Sequence, residues 1–509
     1  MENGKIYEYN IENFDFNIGL NNVYERRSYN ASHPCVTKDF QSDVTIWIQA
    51  YNNFDKTKRC IESLFKYTSD IDFDLILVDN NAGDETYEYF KSIEYEKKTI
   101  IHFNVNTGST YPLSVVPIDM ISKYFVLLNN DIIVTKNWLS NLMKVMESDD
   151  KIGMVNAISN NASNYQGVEF EYDSYERMQE VAAQINVSDS LKWEQRLRIV
   201  TLGTLMRKEC LYAMGWPFFD MGYAHNFLDD DMAFRARRAG YKLVVTSDTW
   251  ICHDHFRDKK EDEATRAAYD RDKAKFMSKF CGVDPWDDTY SVFHEFRQLR
   301  GSVKSSQKNE VSILGIDPKC GMNILDIKNI FASGKDVKMS AYVQDAKYYT
   351  DLHTICNEDV ICDSEDALVK HFVNKSYDYI MIGEPVNMYD DPVQIIKDAY
   401  MLLSDGGQLI FSLKNTQTII EMIKALGYKI EVFEGIYQNI GLDNLVGYLE
   451  TCGIEVDGIV PQCYNNFDSS VVEMQKMIVE HAGNKGANLK EINLRLRTDK
   501  YWLVIKKSK

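Results

Sequence analysis

The stretch YFVLLNNDIIVTKNW at residues 124–138 limits the possible folds of this chain more than any other. Its wholly apolar run, 124–128, reads as a buried strand. The run stops abruptly at Asn129, Asn130 and Asp131, after which apolar residues resume. A carboxylate placed where a buried strand breaks open is where an α/β enzyme can hold a divalent metal against a phosphorylated ligand. The same residues also suit a plain polar turn capped by Asp131.

The rhythm around this segment extends the reading. VTIWI (44–48) is a short apolar run that opens into Gln49, Ala50, Tyr51 and Asn52. Residues 56–67 have the apolar spacing of a helix, and FDLILV (73–78) is a second strand ending in Asp79, Asn80 and Asn81. Residues 99–103 form a third strand and 124–128 a fourth. Strands separated by helical stretches predict a mainly parallel sheet covered on both faces. Ligands of such sheets bind beyond the carboxyl ends of the strands, where Tyr51, Asp79 and Asp131 fall.

At 509 residues the chain is too long for one core, so two or three domains are expected. The clearest break is the polar stretch GSVKSSQKNE, 301–310. It divides a first domain, 43–300, from a second, 311–509. Residues 1–42, rich in Asn and Tyr, form an N-terminal extension with no assigned role. Residues 259–280 are charged and helix-like, and would either strap the first domain or lead out of it.

A formal charge of −19 argues against nucleic acid or an anionic membrane as a bulk partner, since both need clustered positive charge. No apolar stretch reaches the roughly 18 residues of a membrane span, and the first ten residues are polar. The expectation is a cytoplasmic protein with no transmembrane segment. Ten cysteines are scattered singly. That is neither a zinc pattern nor a disulfide framework.

Several motifs stand in a fixed order: AYN after the first strand, LVDNN followed by GDET, Asn106-Thr107-Gly108, LLNND followed by TKNWL, GTLMRKECLYAMGW, and LDDDMAFRARRAGY. Together, over about 44–256, they resemble a family 2 glycosyltransferase of the GT-A fold. The resemblance implies a nucleotide-sugar site in which Ala50 and Tyr51 cover the base and Asp79 hydrogen-bonds it, usually as uracil. By local sequence Asp79 suits capping of the following turn equally well. Asn106, Gly108, Asn130 and Gly203 would complete the donor site, Gly203 by letting backbone approach the sugar. Asn130 and Asp131 stand at the family's Asp-x-Asp metal motif, with Asn129 in place of its first carboxylate. Mg²⁺ or Mn²⁺ would sit on Asp131 with a histidine, His253 first and His255 second.

LDDDM departs from the family's Glu-Asp-x-Asp-Leu by having Leu228 in place of Glu. In that register Asp229 is the general base, with Asp230 as its competitor, and Asp231 reads as a helix N-cap. Asn160, Asn161 and Trp216 are candidate acceptor contacts, although core packing is the ordinary role of a Trp. Residues 166–198 are longer than a minimal connection, contain a helical stretch near 173–185, and could cover the acceptor.

The second half repeats the α/β rhythm and, over about 311–413, resembles a class I methyltransferase. Its strongest match is YDYIMIGEPVNMYDDPVQIIKDAYMLLSDGGQLIFSLKN, 377–415. The first loop departs from that family, because Asp317, Pro318 and Lys319 stand where a bare glycine backbone is wanted. Asp345 and Asp363 remain candidates for ribose and adenine. The damaged loop makes S-adenosylmethionine an unexpected ligand, and leaves acceptor docking, dimerisation or scaffolding as the domain's role.

The fold class expected is therefore α/β: a GT-A, Rossmann-like domain followed by a second Rossmann-like domain of methyltransferase type. The function expected is metal-dependent, inverting transfer of a sugar from a UDP-sugar, N-acetylglucosamine first, to a hydroxyl acceptor. The resemblance extends to bacterial enzymes that glycosylate Ser/Thr of flagellin or another surface protein, or that build surface polysaccharide. A bifunctional enzyme and a non-catalytic partner subunit are the alternatives.

Overall fold

The computed structural model describes residues 4–11, 36, 41–223, 226–254, 263–303, 308–331, 335–425, 438–464, 467, 469–486 and 488–508. The chain divides into two compact units, Met1–Thr289 and Tyr290–Lys509. That division falls before the 301–310 stretch, so residues 290–300 go with the second unit rather than the first.

The first unit is built on strands β1 (Lys5–Tyr9), β2 (Val44–Ala50), β3 (Phe73–Asp79), β4 (Lys98–Phe103), β5 (Tyr124–Asn129), β6 (Ile132–Ile133), β7 (Ile152–Ser159), β8 (Trp193–Arg196), β9 (Thr204–Arg207) and β10 (Lys242–His253). Their order is β1-β4-β3-β2-β5-β9-β7-β10-β6, with β8 pairing β10. The stretch β1-β4-β3-β2-β5 is parallel throughout, and β9 lies antiparallel between β5 and β7.

Alternation along the strands explains why the sequence runs are apolar without a break. Trp47, Ile76, Val78, Ile101, Phe125 and Leu127 point into one core, while Ile46, Ile48, Leu75, Leu77, Ile100, Val126 and Leu128 point into the other. Both faces are covered, so neither face can be polar. The helix Phe54–Tyr67 buries Thr57, Cys60, Ile61 and Leu64, one helical face, against the second of these cores. The helix Trp138–Glu147 does the same with Trp138, Leu139, Leu142, Val145 and Met146, and the Trp138 indole donates to Thr68 Oγ1 at 2.9 Å.

The N-terminal extension has a structural role that the sequence did not suggest. β1 pairs with β4 in parallel as the edge of the sheet, and Tyr9 stacks on Phe103 at 5.1 Å between ring centroids. The helix Glu263–Lys279 straps the first unit: Phe276 packs edge-on against Phe234 at 5.1 Å, and Lys275 and Lys279 each lie 2.9 Å from the Asp220 carboxylate.

The second unit has a seven-stranded sheet, with β11 (Glu310–Ile316), β12 (Asp336–Val343), β13 (Val360–Cys362), β14 (Tyr377–Ile382), β15 (Leu403–Lys414), β16 (Gly458–Cys463) and β17 (Thr498–Lys506) in the order β13-β12-β11-β14-β15-β17-β16. The first five neighbours are parallel, and β17 is antiparallel to both β15 and β16. Both units are thus mainly parallel α/β structures of Rossmann-like type, as the strand–helix rhythm requires. No helix among the described residues is long and apolar enough to cross a membrane.

Gly153, in β7, sits where neighbouring elements pack closely. A Cβ there would lie 2.5 Å from Cys210 Sγ and 2.7 Å from Tyr241 Cβ. Gly153→Ala should therefore destabilise the first unit by about 1–3 kcal/mol through overpacking. Urea denaturation checks this, and an unchanged midpoint would contradict the packing described.

Candidate active site

Three strand ends and one helix end converge at the carboxyl edge of the first sheet. Asn130 and Asp131 form the turn between β5 and β6. β10 shifts register between Thr246 and Trp250, where the buried Asp248 accepts hydrogen bonds from Asp189 N (2.7 Å), Trp193 Nε1 (2.8 Å) and Thr249 Oγ1 (2.8 Å). The strand then continues to pair with β6, Cys252 opposite Ile133 and His253 opposite Ile132. This register delivers His253 to Asp131, with Nε2 3.4 Å from Oδ2.

The imidazole is oriented from behind. Nδ1 of His253 lies 3.3 Å from the carbonyl oxygen of Asn161. A carbonyl only accepts, so this bond needs the proton on Nδ1, and the tautomer compatible with it has its lone pair on Nε2, the nitrogen nearer Asp131. The Asn160 side chain exchanges two bonds with the His253 backbone, accepting from its N–H at 2.8 Å and donating to its carbonyl at 3.0 Å. Asn160 is therefore a clamp between the ends of β7 and β10, and its amide is not presented to an acceptor. Asn161 lines the cavity.

A hard carboxylate and a neutral imidazole are a suitable donor pair for Mg²⁺ or Mn²⁺. At 3.4 Å apart, the Asp131 carboxylate and the His253 imidazole are the residues that would hold such an ion. Among the described residues no third His, Cys, Asp or Glu joins them. His255, the second expected ligand, lies outside the described residues.

The cavity in front of this pair has a volume of about 500 Å³. Gln49, Asn129, Asn130 and Asp131 line it from the strand ends, Asn161 and Ser163 from the loop after β7, Thr201 from the loop before β9 and Asp229 from the start of the helix Leu228–Arg238. Trp47, Leu127, Leu128 and Phe219 supply apolar wall. Asn130 is held by donating to Thr57 Oγ1 at 2.9 Å.

The three consecutive aspartates separate cleanly. The helix runs Leu228–Arg238 after Phe227, so all three lie in its first turn and Asp231 is not the N-cap. Asp231 accepts from Arg235 Nε at 2.7 Å and is fully buried. Asp230 meets Arg198 Nη1 at 3.1 Å and Trp286 Nε1 at 3.2 Å, and burial pushes its pKa up. It does not line the cavity, which removes it as a candidate base. Asp229 does line the cavity, and accepts from Thr201 Oγ1 at 2.6 Å.

Other expected site residues lie elsewhere. Ala50 is buried in the core and Tyr51 is exposed, and neither lines the cavity. Asp79 is held by its own neighbours: Oδ1 accepts from Ala82 N at 3.0 Å and Oδ2 lies 2.6 Å from His102 Nδ1. Its side chain is 1% exposed, and burial pushes its pKa up, so it takes the turn-capping role rather than facing a base. Asn106 and Gly108 form a wall at one remove. Asn80 Nδ2 donates to Asn106 Oδ1 (3.0 Å) and to the Gly108 carbonyl (2.8 Å), which also accepts from the cavity residue Gln49 (3.0 Å).

Gly203 has φ +70, and a Cβ there would meet Ile251 and Leu128 at 3.2 and 3.3 Å. It faces the core, not the cavity. Trp216 packs against Phe125 and Phe218, and its indole donates to the Val116 carbonyl, so it is no acceptor platform. The helical stretch near 173–185 is the helix Tyr175–Ile185. Gln179 and Asn186 anchor it to the Val134 and Trp250 carbonyls, and none of 166–198 lines the cavity.

Thr201 was missed. Its partner is 28 residues away, so no local pattern marks the hydroxyl.

Residues 45–190 match the family model described as Glycosyl transferase family 2. No curated protein matches the chain. Among solved structures the chain is similar to a mannosyltransferase from Pyrobaculum calidifontis in complex with GDP-Man and Mn²⁺, at 16% identity over 51% of this chain and 71% of that one, TM-score 0.35. It is also similar to S. aureus TarS 1–349, at 11% identity over 47% and 66%, TM-score 0.32. A third is a SAM-dependent methyltransferase from Archaeoglobus fulgidus, at 16% identity over 46% and 99%, TM-score 0.31. The stretch 45–190, which matches the family model, includes Asp131 in the turn after β5.

Asp230→Ala leaves the mostly buried Arg198 guanidinium without its carboxylate. It should cost about 3 kcal/mol of stability. Asp229→Asn, which keeps an acceptor for Thr201, should cost under about 1 kcal/mol. Thermal or urea unfolding of the two variants checks this, and equal losses would contradict the division of roles.

Proposed function

We propose that the first unit transfers a sugar from a nucleotide donor to an acceptor hydroxyl, with inversion, using Asp229 as general base. The observation that carries this reading is the convergence of Asp131, His253 and Asp229 on one cavity at the carboxyl ends of β5 and β10.

The chemistry follows from what each residue offers. Asp131 and His253 would hold Mn²⁺ or Mg²⁺, which neutralises charge on the departing diphosphate when bound. Asp229 takes the proton of the acceptor hydroxyl as its oxygen bonds to the anomeric carbon. The bond from that carbon to the diphosphate breaks at the same time, and its electron pair leaves with the nucleoside diphosphate. One in-line displacement of this kind inverts the anomeric centre. Apolar walls from Trp47, Leu127, Leu128 and Phe219 limit water, the competing acceptor.

The donor proposed is a UDP-sugar, with UDP-N-acetylglucosamine first. The acceptor proposed is a Ser/Thr hydroxyl of flagellin or another surface protein, with surface polysaccharide second. The enzyme would act in the cytoplasm, and a homodimer is compatible with this role.

The second unit is proposed to be non-catalytic. Asp317 stands at φ 44, followed by Pro318, whose ring atoms lie 2.8–2.9 Å from where a Cβ on Gly315 would be. The Asp317 carboxylate accepts from Tyr389 OH (2.8 Å), Gln344 N (2.8 Å) and Gln344 Nε2 (3.0 Å). The Asp317 carboxylate is therefore already engaged, and Pro318 stands where a ligand would need open backbone. Asp345 lines a cavity of about 340 Å³ together with Asp317, Gln344 and Tyr389, whereas Asp363 is engaged by His371 at 2.8 Å and does not line it. Calorimetry of the full chain with S-adenosylmethionine should show no binding heat, and micromolar binding would contradict the proposal.

The test of the first unit is consumption of nucleotide sugars in the presence of Mn²⁺. Asp229→Asn should lower the rate by about 10²–10⁴-fold, the range for loss of a general base. Asp131→Ala should be inactive with or without added metal. A rate in Asp229→Asn equal to the wild type would remove Asp229 as base.

A further inference from the structure

We infer that Thr201 is a positioning residue for Asp229, fixing which carboxylate oxygen is offered to the acceptor. This deepens the glycosyl-transfer reading and rests on it. Thr201 is 8% exposed and lines the same cavity as Asp229. Its hydroxyl donates to Asp229 Oδ1 at 2.6 Å, a short bond of the charge-assisted kind. One carboxylate oxygen is thereby held, and the group loses freedom to rotate about its terminal torsion, which is otherwise broad.

The hydroxyl is useful for this only if its own backbone is fixed, and it is. The preceding residue, Val200, is gripped on both sides. Its N–H donates to Gln166 Oε1 at 2.7 Å, and its carbonyl accepts from Asn156 Nδ2 at 2.6 Å and Gln166 Nε2 at 3.1 Å. Asn164 Nδ2 holds the Arg198 carbonyl at 2.7 Å. The same short loop is joined to the aspartate helix a second time, by Arg198 Nη1 to Asp230 Oδ1 at 3.1 Å. Two bonds from one clamped loop, Arg198–Asp230 and Thr201–Asp229, therefore set the position of the helix end and the rotation of the carboxylate separately. Asp230 aligns the helix, and Thr201 aligns the base.

A general base works only within hydrogen-bond reach of the proton it takes, so a bond that sets the carboxylate's rotation raises the time spent in the productive geometry. Loss of the Thr201 hydroxyl should slow transfer without weakening donor binding, because the residues proposed to hold the donor's metal, Asp131 and His253, are different residues of the cavity.

The test compares Thr201→Val, which keeps the shape and removes the hydroxyl, with Thr201→Ser, which keeps the hydroxyl. Both are assayed beside Asp229→Asn on UDP-N-acetylglucosamine, UDP-glucose, UDP-galactose, GDP-mannose and dTDP-rhamnose with Mn²⁺, and unfolding is followed in parallel. The expected result is a kcat about tenfold to a hundredfold lower in Thr201→Val, the effect of losing one hydrogen bond to a charged group. The donor KM should be unchanged, and Thr201→Ser should be within about threefold of the wild type. If Asp229→Asn is inactive while Thr201→Val matches the wild type, the positioning role is wrong and the base assignment stands. Equal losses in the Ser and Val variants, or a raised donor KM with unchanged kcat, would likewise overturn it. If Asp229→Asn is fully active, or the wild type consumes none of the five donors, the underlying reading fails and the inference with it.

Discussion

The pairing of β10 with β6 is the contact on which the site depends. Opposing His253 to Ile132 puts an imidazole beside the residue that ends the β5–β6 turn, Asp131. Neither residue is near the other in sequence, and neither is oriented by its own strand alone. The bulge around Asp248 sets how far β10 reaches, and the Asn160 side chain fixes its last residue by two backbone bonds. A slip of one residue would turn His253 to the other face of the sheet. The Asn161 carbonyl then selects the tautomer. Strand register, loop and side-chain chemistry are thus one constraint expressed at three scales.

The aspartate helix shows how environment, rather than residue type, assigns roles. Asp229, Asp230 and Asp231 share a helical turn and a chemistry. A helical advance of about 100° per residue points them in three directions. Asp231 meets Arg235, Asp230 meets Arg198 and Trp286, and Asp229 meets the cavity and Thr201. The first two serve to hold the helix, and their pairing leaves Asp229 as the acid of this turn that can face a ligand.

The sequence made the fold legible because burial on both faces leaves an unbroken apolar run. The runs at 44–48, 73–78, 99–103 and 124–128 all emerge as strands. Asp131 and His253 each sit at the end of such a run, which is what singled them out as candidates. β1 was not, because a five-residue edge strand among Asn and Tyr has no clear period. Asp79, Gly203 and Trp216 were misplaced for a shared cause. A motif position states where a residue lies along the chain, whereas His102, Ile251 and Phe125, the partners that claim these three, come from other elements. Thr201 escaped because a lone hydroxyl has no pattern until its distant partner is known.

The most direct measurement of the central claim is anomalous diffraction from crystals of the full chain soaked with Mn²⁺ and UDP. A manganese peak within coordination distance of an Asp131 carboxylate oxygen and of His253 Nε2, with the diphosphate beside it, is the expected result. A manganese peak bound to neither residue, with diphosphate elsewhere, would contradict it.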